Sequence, residues 1–397
     1  MSTSRSRPVK AIRHFHQLDD AEHDRLFFRA PEELATDADR DLLAMALGAT
    51  LYMPADRPDL AATVARRAKA GVCSMVLDLE DAVDDTSVDS ALDNAVAVLD
   101  TLAETQQATQ AMIFVRVRGP KCIGRIAESL SVGGEALTGF VIPKFSAHSG
   151  ERFLSAAAEA ARVLHKSLYC MPVLESAALA YRQTRDAELA AIADVLANHR
   201  DSVLALRIGA TDMSGIFGIR RDRDLTIYDV RVIADVIGDI VNYLGRADDT
   251  GYVITGPVWE YFADHERLFR TMLRTTPFAE HDAVRFRDQL VSRDLDGLLR
   301  ELSLDRANGM HGKTVIHPSH VPAVHALAVV THEEYRDALD VVSTEAGGVR
   351  RSEYRNKMNE PRPHRIWAQQ VLRRARVFGV AHKGVSFVDL LTVLAGR

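Results

Sequence analysis

An apolar run that ends in a cluster of acids is the part of the sequence best suited to chemistry. Residues 74–77 lead directly into three carboxylates, Asp78, Glu80 and Asp81. Such a run is typical of a buried parallel strand whose C-terminal end opens into a polar site. Because neighbouring carboxylates repel one another, we expect a cation or basic side chains among them, and hence a reactive site. The structural alternative is that Asp81 caps a following helix while the other two acids are solvated.

Other charged residues follow short apolar runs in the same way. They are Arg116 with Arg118, Lys144, Glu175, Arg207 with Asp212, and Lys313 with His317. Glu175 and Asp212 follow successive runs and can share one hard divalent cation, because Mg²⁺ typically binds one or two carboxylates plus water and substrate oxygens. Mn²⁺ accepts the same ligands, whereas the lack of a His-rich or Cys-rich set disfavours zinc. Helix capping is the structural alternative for both acids.

The cations near these acids suit an anionic ligand. A partly open Mg²⁺ can chelate an α-keto acid and act as a Lewis acid on the enolate that forms when a carbon–carbon bond breaks. Arg116 would supply a bidentate fork for the substrate carboxylate, which a lysine cannot match in geometry. Lys144 can in principle form a Schiff base or act as a general base, but a bound metal would make a Schiff base redundant. We therefore expect a non-covalent role for Lys144.

The elements that position these residues follow a regular βα rhythm from Thr50 onwards. The predicted strands are 51–54, 75–77, 112–117, 139–144, 168–175, 203–209, 252–255 and 312–317, and the predicted helices lie near 58–70, 87–104, 122–131, 149–165, 177–198, 228–245 and 265–303. Eight repeats favour a (β/α)8 TIM barrel over an open doubly wound sheet, which usually has about five or six strands. No glycine-rich phosphate loop follows the first strand, which weakens a nucleotide-binding alternative. Because the C-terminal ends of barrel strands share one rim, we expect the charged residues to meet in one pocket.

Two additional segments flank the predicted barrel domain at residues 49–330. Residues 1–48 are expected to form an N-terminal extension without a strand of its own, and residues 331–397 a C-terminal helical segment. Apolar residues at helical spacing predict a basic amphipathic helix near 365–378. We expect this helix to pack on the barrel or on a neighbouring subunit.

Composition argues against several other classes of protein. With 397 residues, 47% of them hydrophobic, the chain can bury a large core. Its formal charge of -6 gives no support to a nucleic-acid or anionic membrane surface. Three cysteines without a CxxC pair indicate buried thiols in a reducing compartment. No apolar run approaches the roughly 20 residues of a membrane helix, and the N-terminus lacks the apolar core of a secretory signal, so a soluble cytoplasmic protein is expected.

Short motifs around the charged residues resemble, in the same order, those of the citrate lyase β-subunit-like (HpcH/HpaI aldolase) family. The matching motifs are LYMPADR at 51–57, VLDLEDAV at 76–83, VRVR at 115–118, IPK at 142–144, VLESA at 173–177, IGATD at 208–212 and GKTVIHP at 312–318. The resemblance implies a TIM barrel that makes or breaks carbon–carbon bonds in 3-hydroxy acids or their CoA thioesters with the help of Mg²⁺. It also implies a homo-oligomer, a trimer or a hexamer.

The resemblance assigns roles to particular residues. It implies metal ligands at Glu175 and Asp212, a substrate-carboxylate arginine at Arg116, and supporting acids at Glu80 and Asp81. The third strand motif of the family commonly reads Val-Arg-Val-Asn, and Arg118 here replaces the Asn, which predicts a more anionic or phosphorylated ligand and leaves CoA dependence open. The predicted catalytic residues are Arg116, Lys144, Glu80 and Asp81, and the predicted substrate-binding residues are Arg116, Arg118, Asp78 and Arg207.

Two other functions fit the same residues. The pocket can hydrolyse an acyl-CoA thioester if one of its acids activates water. Alternatively, the chain can be a binding subunit whose rim residues no longer catalyse a reaction. The N-terminal extension and the C-terminal helical segment exceed the usual family outline and resemble those of a divergent branch of carbon–carbon bond lyases. Reaction products separate these functions, because a lyase yields two carbon skeletons and a hydrolase leaves the skeleton whole.

Overall fold

Eight parallel strands form the centre of the fold in the described part of the chain. The computed structural model describes residues 11–35, 38–108, 110–262, 293–343 and 349–395. The strands are β1 (Ala49–Pro54), β2 (Ser74–Asp78), β3 (Met112–Arg116), β4 (Leu137–Ile142), β5 (Tyr169–Leu174), β6 (Leu206–Ile208), β7 (Ile254–Thr255) and β8 (Lys313–Val315). They pair in chain order, β8 pairs with β1, and a bridge between Gly256 and Lys313 joins β7 to β8. The sheet is therefore closed, and the predicted (β/α)8 barrel is confirmed.

Apolar side chains on both faces stabilise the barrel strands. β2 and β3 are buried along their whole length, as expected for parallel strands that face the barrel interior on one side and helices on the other. Phe114 and Phe140 are completely buried, and burying a side chain of this size contributes about 1.5–3 kcal/mol. The apolar runs of β2 and β3 end at Asp78 and Arg116, which are paired in the same register. These residues mark the rim at which the polar site begins.

Helices follow the barrel strands and cover the outside of the barrel, and further helices lie in the segments before and after it. In the described residues they are α1 (Asp20–Leu26), α2 (Arg40–Ala46), α3 (Leu60–Lys69), α4 (Val88–Thr105), α5 (Pro120–Ser129), α6 (Ala147–Val163), α7 (Ala177–Ala180), α8 (Arg182–Asn198), α9 (Ala210–Ile216), α10 (Arg231–Leu244), α11 (Arg293–Ala307), α12 (Val321–Ala328), α13 (His332–Ser343), α14 (Pro361–Phe378) and α15 (Phe387–Ala395). The predicted helix 177–198 is interrupted at Tyr181, whose backbone is extended. The predicted helices over 265–303 lie outside the described residues except for α11. None of the described helices is long and apolar enough to cross a membrane.

The N-terminal extension contains strands, so the prediction that residues 1–48 would lack one was wrong. Ala11–Ile12 pairs antiparallel with Leu34–Ala35, and Phe27–Arg29 pairs with Val380–Ala381 from the C-terminal segment. Strands of two or three residues are too short to show an alternating pattern. The second pair also joins opposite ends of the chain, which no local pattern can reveal.

The predicted amphipathic helix near 365–378 is observed as α14. Its apolar residues, including Val371 and Ala375, form one buried cluster with Ala338 and Val341 of α13. At its end, the ring of Phe378 lies 4.3 Å from that of His14 in the N-terminal extension, measured between ring centroids. α14 therefore packs on α13 and on the N-terminal extension of the same chain.

Lys313 was predicted at the rim, and the structure corrects this placement. It is the first residue of β8, pairs with Ala49 at the start of β1, and is fully buried. Its Nζ donates hydrogen bonds to Glu301 Oε1 at 3.0 Å and to Asp305 Oδ2 at 2.7 Å, both on α11. The Lys313 side chain therefore attaches α11 to the barrel and does not line the predicted site. The sequence does not show where a strand of only three residues begins, so it did not show at which end of the strand the lysine lies.

The Lys313→Met substitution is expected to lower the free energy of unfolding by about 3–5 kcal/mol, because it leaves the buried Asp305 carboxylate without its cation and removes one of the two cations that contact Glu301. Urea denaturation followed by circular dichroism measures this loss. The control is Lys121→Met at an exposed position, for which a change below about 0.5 kcal/mol is expected. Equal midpoints for Lys313→Met and the wild type would contradict the role assigned to Lys313.

Candidate active site

A cavity of about 420 Å³ lies at the C-terminal end of the barrel. Six residues predicted from the sequence line it: Asp78, Asp81, Arg116, Glu175, Arg207 and Asp212. They come from four different strands or the segments that follow them, so closure of the barrel brings together residues that are distant in the sequence. His317 also follows β8, but its ring stacks on Phe262 at 4.4 Å, and it lines a separate, larger cavity bordered by α3, α12 and α15.

Arg116 lies at the centre of the acid cluster. Its guanidinium donates to Asp78 Oδ2 at 3.3 Å and to Asp81 Oδ2 at 2.7 Å, forms an ion pair with Glu80, and lies 3.9 Å from Glu175 Oε1. Burial disfavours the charged guanidinium, but the surrounding carboxylates, Asp78 foremost, raise the pKa of Arg116 above its ordinary value. The basic side chain expected among the acids is therefore Arg116.

Asp78 has a positioning role within this cluster. Its second oxygen, Oδ1, accepts the backbone N–H of Glu80 at 2.9 Å, so both carboxylate oxygens are engaged by protein donors. Burial raises the pKa of Asp78 in spite of the nearby arginine. Asp78 is thus held at the end of β2, where it fixes the guanidinium of Arg116 and the start of the following loop.

Lys144 contacts both the Glu80–Asp81 acids and Glu175. Its backbone has a left-handed conformation, with φ of 48°, which is uncommon for a residue with a side chain and is often found at functional sites. In this conformation its N–H donates to Glu175 Oε1 at 2.8 Å, while its ammonium contacts Glu80 and lies 3.4 Å from Asp81 and 3.9 Å from Asp212. Although burial opposes the charge, these acids raise the pKa of Lys144. A lysine that stays protonated is a poor nucleophile, so the geometry favours a non-covalent role.

Glu175 and Asp212 face the same cavity. Glu175 directly follows β5 and is only 4% exposed, whereas Asp212 lies in the first turn of α9. Burial, and next the charge of Asp212, raise the pKa of Glu175 to about 7. Gly209 makes room for this carboxylate, because a Cβ at that position would overlap Glu175 Oε2 and lie 2.5 Å from its Cβ.

The donor set formed by Glu175 and Asp212 fits a hard divalent cation. It consists of two carboxylates that repel each other across an otherwise open cavity, and Mg²⁺ binds such oxygen pairs while retaining water or substrate ligands. Within the described residues, no group of three or more His, Cys, Asp or Glu side chains is arranged to hold a metal. The two carboxylates themselves offer hard oxygen donors, which suit Mg²⁺ or Mn²⁺ better than zinc.

Arg118 has a different role from the one predicted. Its Nε donates to the carbonyl of Leu79 at 2.7 Å, and its remaining donors bind the carbonyls of Glu80 and Val83 and the carboxylate of Asp85. It does not border the 420 Å³ cavity. Arg118 therefore holds the loop after β2 in place, and it was wrong to expect it in the substrate pocket. The sequence showed an extra cation at the rim but not the direction of its side chain.

Several polar residues inside the barrel were missed as site residues. Thr50 and Tyr52 of β1 and Thr314 of β8 surround Arg207, which is buried in the middle of β6. Interiors of such barrels are usually filled by branched apolar side chains. The signal in the sequence was the alternation of Thr50 and Tyr52 within an apolar strand, which places both on the inward face.

Comparisons with known proteins agree with this fold. A family model described as "C-C_Bond_Lyase of the TIM-Barrel fold" matches residues 41–380, and no curated protein matches the chain. Among solved structures, a citrate lyase from Burkholderia xenovorans has a TM-score of 0.60 at 16% identity, covering 87% of this chain and 96% of that chain. The CitE protein from Mycobacterium tuberculosis, in complex with magnesium, acetoacetate and coenzyme A, has a TM-score of 0.52 at 20% identity, covering 83% and 99%.

A malate synthase from Haloferax volcanii, in its magnesium and glyoxylate complex, has a TM-score of 0.50 at 15% identity, covering 70% of this chain and 73% of that chain. At such low identities these likenesses establish a shared barrel fold. The family match covers most of the chain and confirms the resemblance inferred from the strand-end motifs. The chain belongs to the family of carbon–carbon bond lyases with the TIM-barrel fold.

Proposed function

We propose that this chain is a Mg²⁺-dependent lyase that cleaves a 3-hydroxy acid or its CoA thioester into two carbon fragments. The observation that carries the proposal is the meeting of Glu175, Asp212 and Arg116 around one cavity. Two carboxylates that can hold a divalent cation thus lie beside a guanidinium that can bind a carboxylate. Family membership supplies the reaction class, and the magnesium named in the complexes of two similar structures supports the choice of metal.

Glu175 and Asp212 would hold the cation. A bound Mg²⁺ would polarise the substrate oxygen that changes from hydroxyl to carbonyl and would offset the negative charge that develops as the carbon–carbon bond breaks. Lys144 keeps Glu175 in position through its backbone N–H, and Gly209 leaves the space that this carboxylate occupies. The chain thus fixes the orientation of Glu175 from two sides.

Arg116 would orient the substrate by binding its carboxylate. Asp78 is buried and remains paired with the guanidinium, whereas the Asp81 side chain is 53% exposed. We therefore expect the substrate carboxylate to displace Asp81 from Arg116 and to form the bidentate pair that arginine favours. Released from Arg116, Asp81 keeps Lys144 as a partner at 3.4 Å.

Proton transfer is assigned to the pair formed by Glu80 and Lys144, which lies beside the cavity and contacts two of its lining residues, Arg116 and Asp81. In cleavage, the substrate hydroxyl gives its proton to a base, its carbon becomes a carbonyl, and the adjacent carbon–carbon bond breaks. The electron pair of that bond forms an enolate on the other fragment, which then takes up a proton. Burial, and a hydrogen bond involving Asp81, raise the pKa of Glu80. Glu80 therefore holds a proton more readily than an exposed glutamate does. A group that accepts a proton and later returns it needs this property.

Product identification tests this proposal. The protein is incubated with Mg²⁺ and a panel of 3-hydroxy acids, their CoA thioesters and 4-hydroxy-2-oxo acids, and products are followed by NMR and mass spectrometry. We expect at least one compound to yield two carbon skeletons, and EDTA to abolish the conversion. Release of free CoA with the acyl skeleton intact would indicate a hydrolase instead. No conversion across the panel would favour a binding subunit.

A further inference from the structure

A buried arginine lines the candidate active-site cavity, and its partners among the described residues are neutral. Arg207 lies in the middle of β6 and is 1% exposed. Its two terminal nitrogens donate to Thr314 Oγ1 at 2.6 Å and to Thr50 Oγ1 at 3.2 Å, with Met171 Sδ at 3.8 Å. The guanidinium carbon lies 5.4 Å from the centre of the Tyr52 ring.

The absence of an acid partner sets Arg207 apart from other buried arginines in the described part of the chain. Arg185 pairs with Asp239 at 2.7 Å, Arg374 pairs with Glu334 at 3.0 Å, and Arg116 and Arg221 also have carboxylate partners. Among the described residues, no carboxylate lies within 4.0 Å of the Arg207 guanidinium, which contacts two hydroxyls and a thioether sulfur. A buried charge without a counter-charge is costly, so its retention calls for an anion from elsewhere.

Arg207 lies where a bound substrate can supply that anion. Arg207, Tyr52 and Thr314 line the same cavity as Glu175 and Asp212. The cavity volume of about 420 Å³ falls in the range that accommodates a small-molecule ligand. A ligand held at the rim by its keto-acid end can therefore extend inward to the guanidinium.

We propose that Arg207 forms a second anion subsite, which binds an oxyanion group of the substrate distal to its metal-binding end. The hydroxyls of Thr50 and Thr314 hold the terminal nitrogens, and the Tyr52 ring packs against the guanidinium, so that the fork is preorganised. The substrate class is then a dicarboxylic or phosphorylated hydroxy or keto acid, as opposed to a simple monoacid. The identity of this substrate rests on the proposed function, but anion binding by Arg207 does not.

Anion binding by metal-free protein tests the subsite. Wild type and Arg207→Met are titrated in EDTA with malonate, inorganic phosphate and acetate by calorimetry, and their thermal midpoints are recorded. We expect malonate or phosphate to bind wild type at least about tenfold more tightly than Arg207→Met, with acetate weak for both. The stronger of the two anions identifies the distal group as carboxylate or phosphate.

A matched control separates binding from packing. Arg185→Met removes another buried arginine, outside the cavity, and is expected to leave anion affinity unchanged. Without ligand, Arg207→Met is expected to be at least as stable as wild type, because it removes an uncompensated buried charge. Equal anion affinity in wild type and Arg207→Met overturns the subsite, and so does a lack of anion binding by wild type. A lower thermal midpoint for Arg207→Met with unchanged anion binding would show that Arg207 only supports packing, which also overturns the subsite.

Failure of the subsite and failure of the proposed function give different results. If anion binding depends on Arg207 but no compound is cleaved with Mg²⁺, the subsite stands and the lyase proposal fails. If cleavage occurs and Arg207→Met processes mono- and dianionic substrates with wild-type kcat/KM, the lyase proposal stands and the subsite is wrong.

Discussion

Glu175→Gln is expected to lower kcat for carbon–carbon cleavage at least about a thousandfold, equivalent to about 4 kcal/mol of transition-state stabilisation. The amide keeps the shape of the side chain and can still accept the Lys144 N–H, but it supplies no negative charge to a divalent cation. Steady-state kinetics and calorimetric Mg²⁺ titration measure the two consequences. Asp212→Asn is expected to act in the same direction for the same reason.

Stability measurements separate this effect from misfolding. The pKa of Glu175 is about 7 in the folded protein against an ordinary value of 4.5, so the folded state holds its proton longer and loses stability as pH rises from 4.5 to 7. At pH 8 the ionised carboxylate costs up to about 3 kcal/mol without metal. Metal-free Glu175→Gln should therefore be at least as stable as wild type at that pH.

Glu188→Gln is the matched control for the Glu175 variant. Glu188 also accepts a backbone N–H, from Ala147 at 2.9 Å, but lies outside the cavity. We expect its activity to remain within about threefold of wild type. Wild-type Mg²⁺ affinity in both Glu175→Gln and Asp212→Asn would show that the metal site has been assigned to the wrong residues.

Gly209→Ala is expected to lower kcat/KM about a hundredfold, because small displacements of a catalytic group have effects of this size. The added methyl group would overlap the Glu175 carboxylate and push it from its position. The backbone itself tolerates alanine, since φ at Gly209 is -94°. The substitution therefore acts on the side chain of Glu175 and leaves the turn after β6 unstrained.

Mg²⁺ affinity and the thermal midpoint identify the cause of this loss. We expect weaker Mg²⁺ binding by Gly209→Ala. Gly215→Ala on the same helix is the control, because its Cβ meets no described atom within 4 Å and alanine favours a helix. If Gly209→Ala binds Mg²⁺ as tightly as Gly215→Ala does, the Glu175 carboxylate in its present position is not the ligand.

Local patterns in the sequence were sufficient for the barrel and for part of the site. Apolar runs with a helical segment after each one predict repeated βα units, because a buried parallel strand needs apolar residues on both faces. The acids and bases at the ends of those runs, such as Asp78, Arg116 and Glu175, were placed correctly because all strands of a barrel point the same way. Strand order and direction therefore determine which residues of the sequence lie at the rim.

Contacts between distant residues decided the rest. Arg118 and Lys313 had the right charge but turn to a loop and to α11, because side-chain direction depends on neighbours that the local sequence does not specify. The short strand Phe27–Arg29 finds its partner near the opposite end of the chain.

The sequence by itself determined the fold class and which residues reach the rim, because both follow from local apolar patterning and strand direction. Only the tertiary structure decided that four carboxylates surround Arg116 and that Arg207 meets none within the described part of the chain. Both properties depend on which side chains meet across the closed sheet, and the free energy of a buried charge is set by those neighbours.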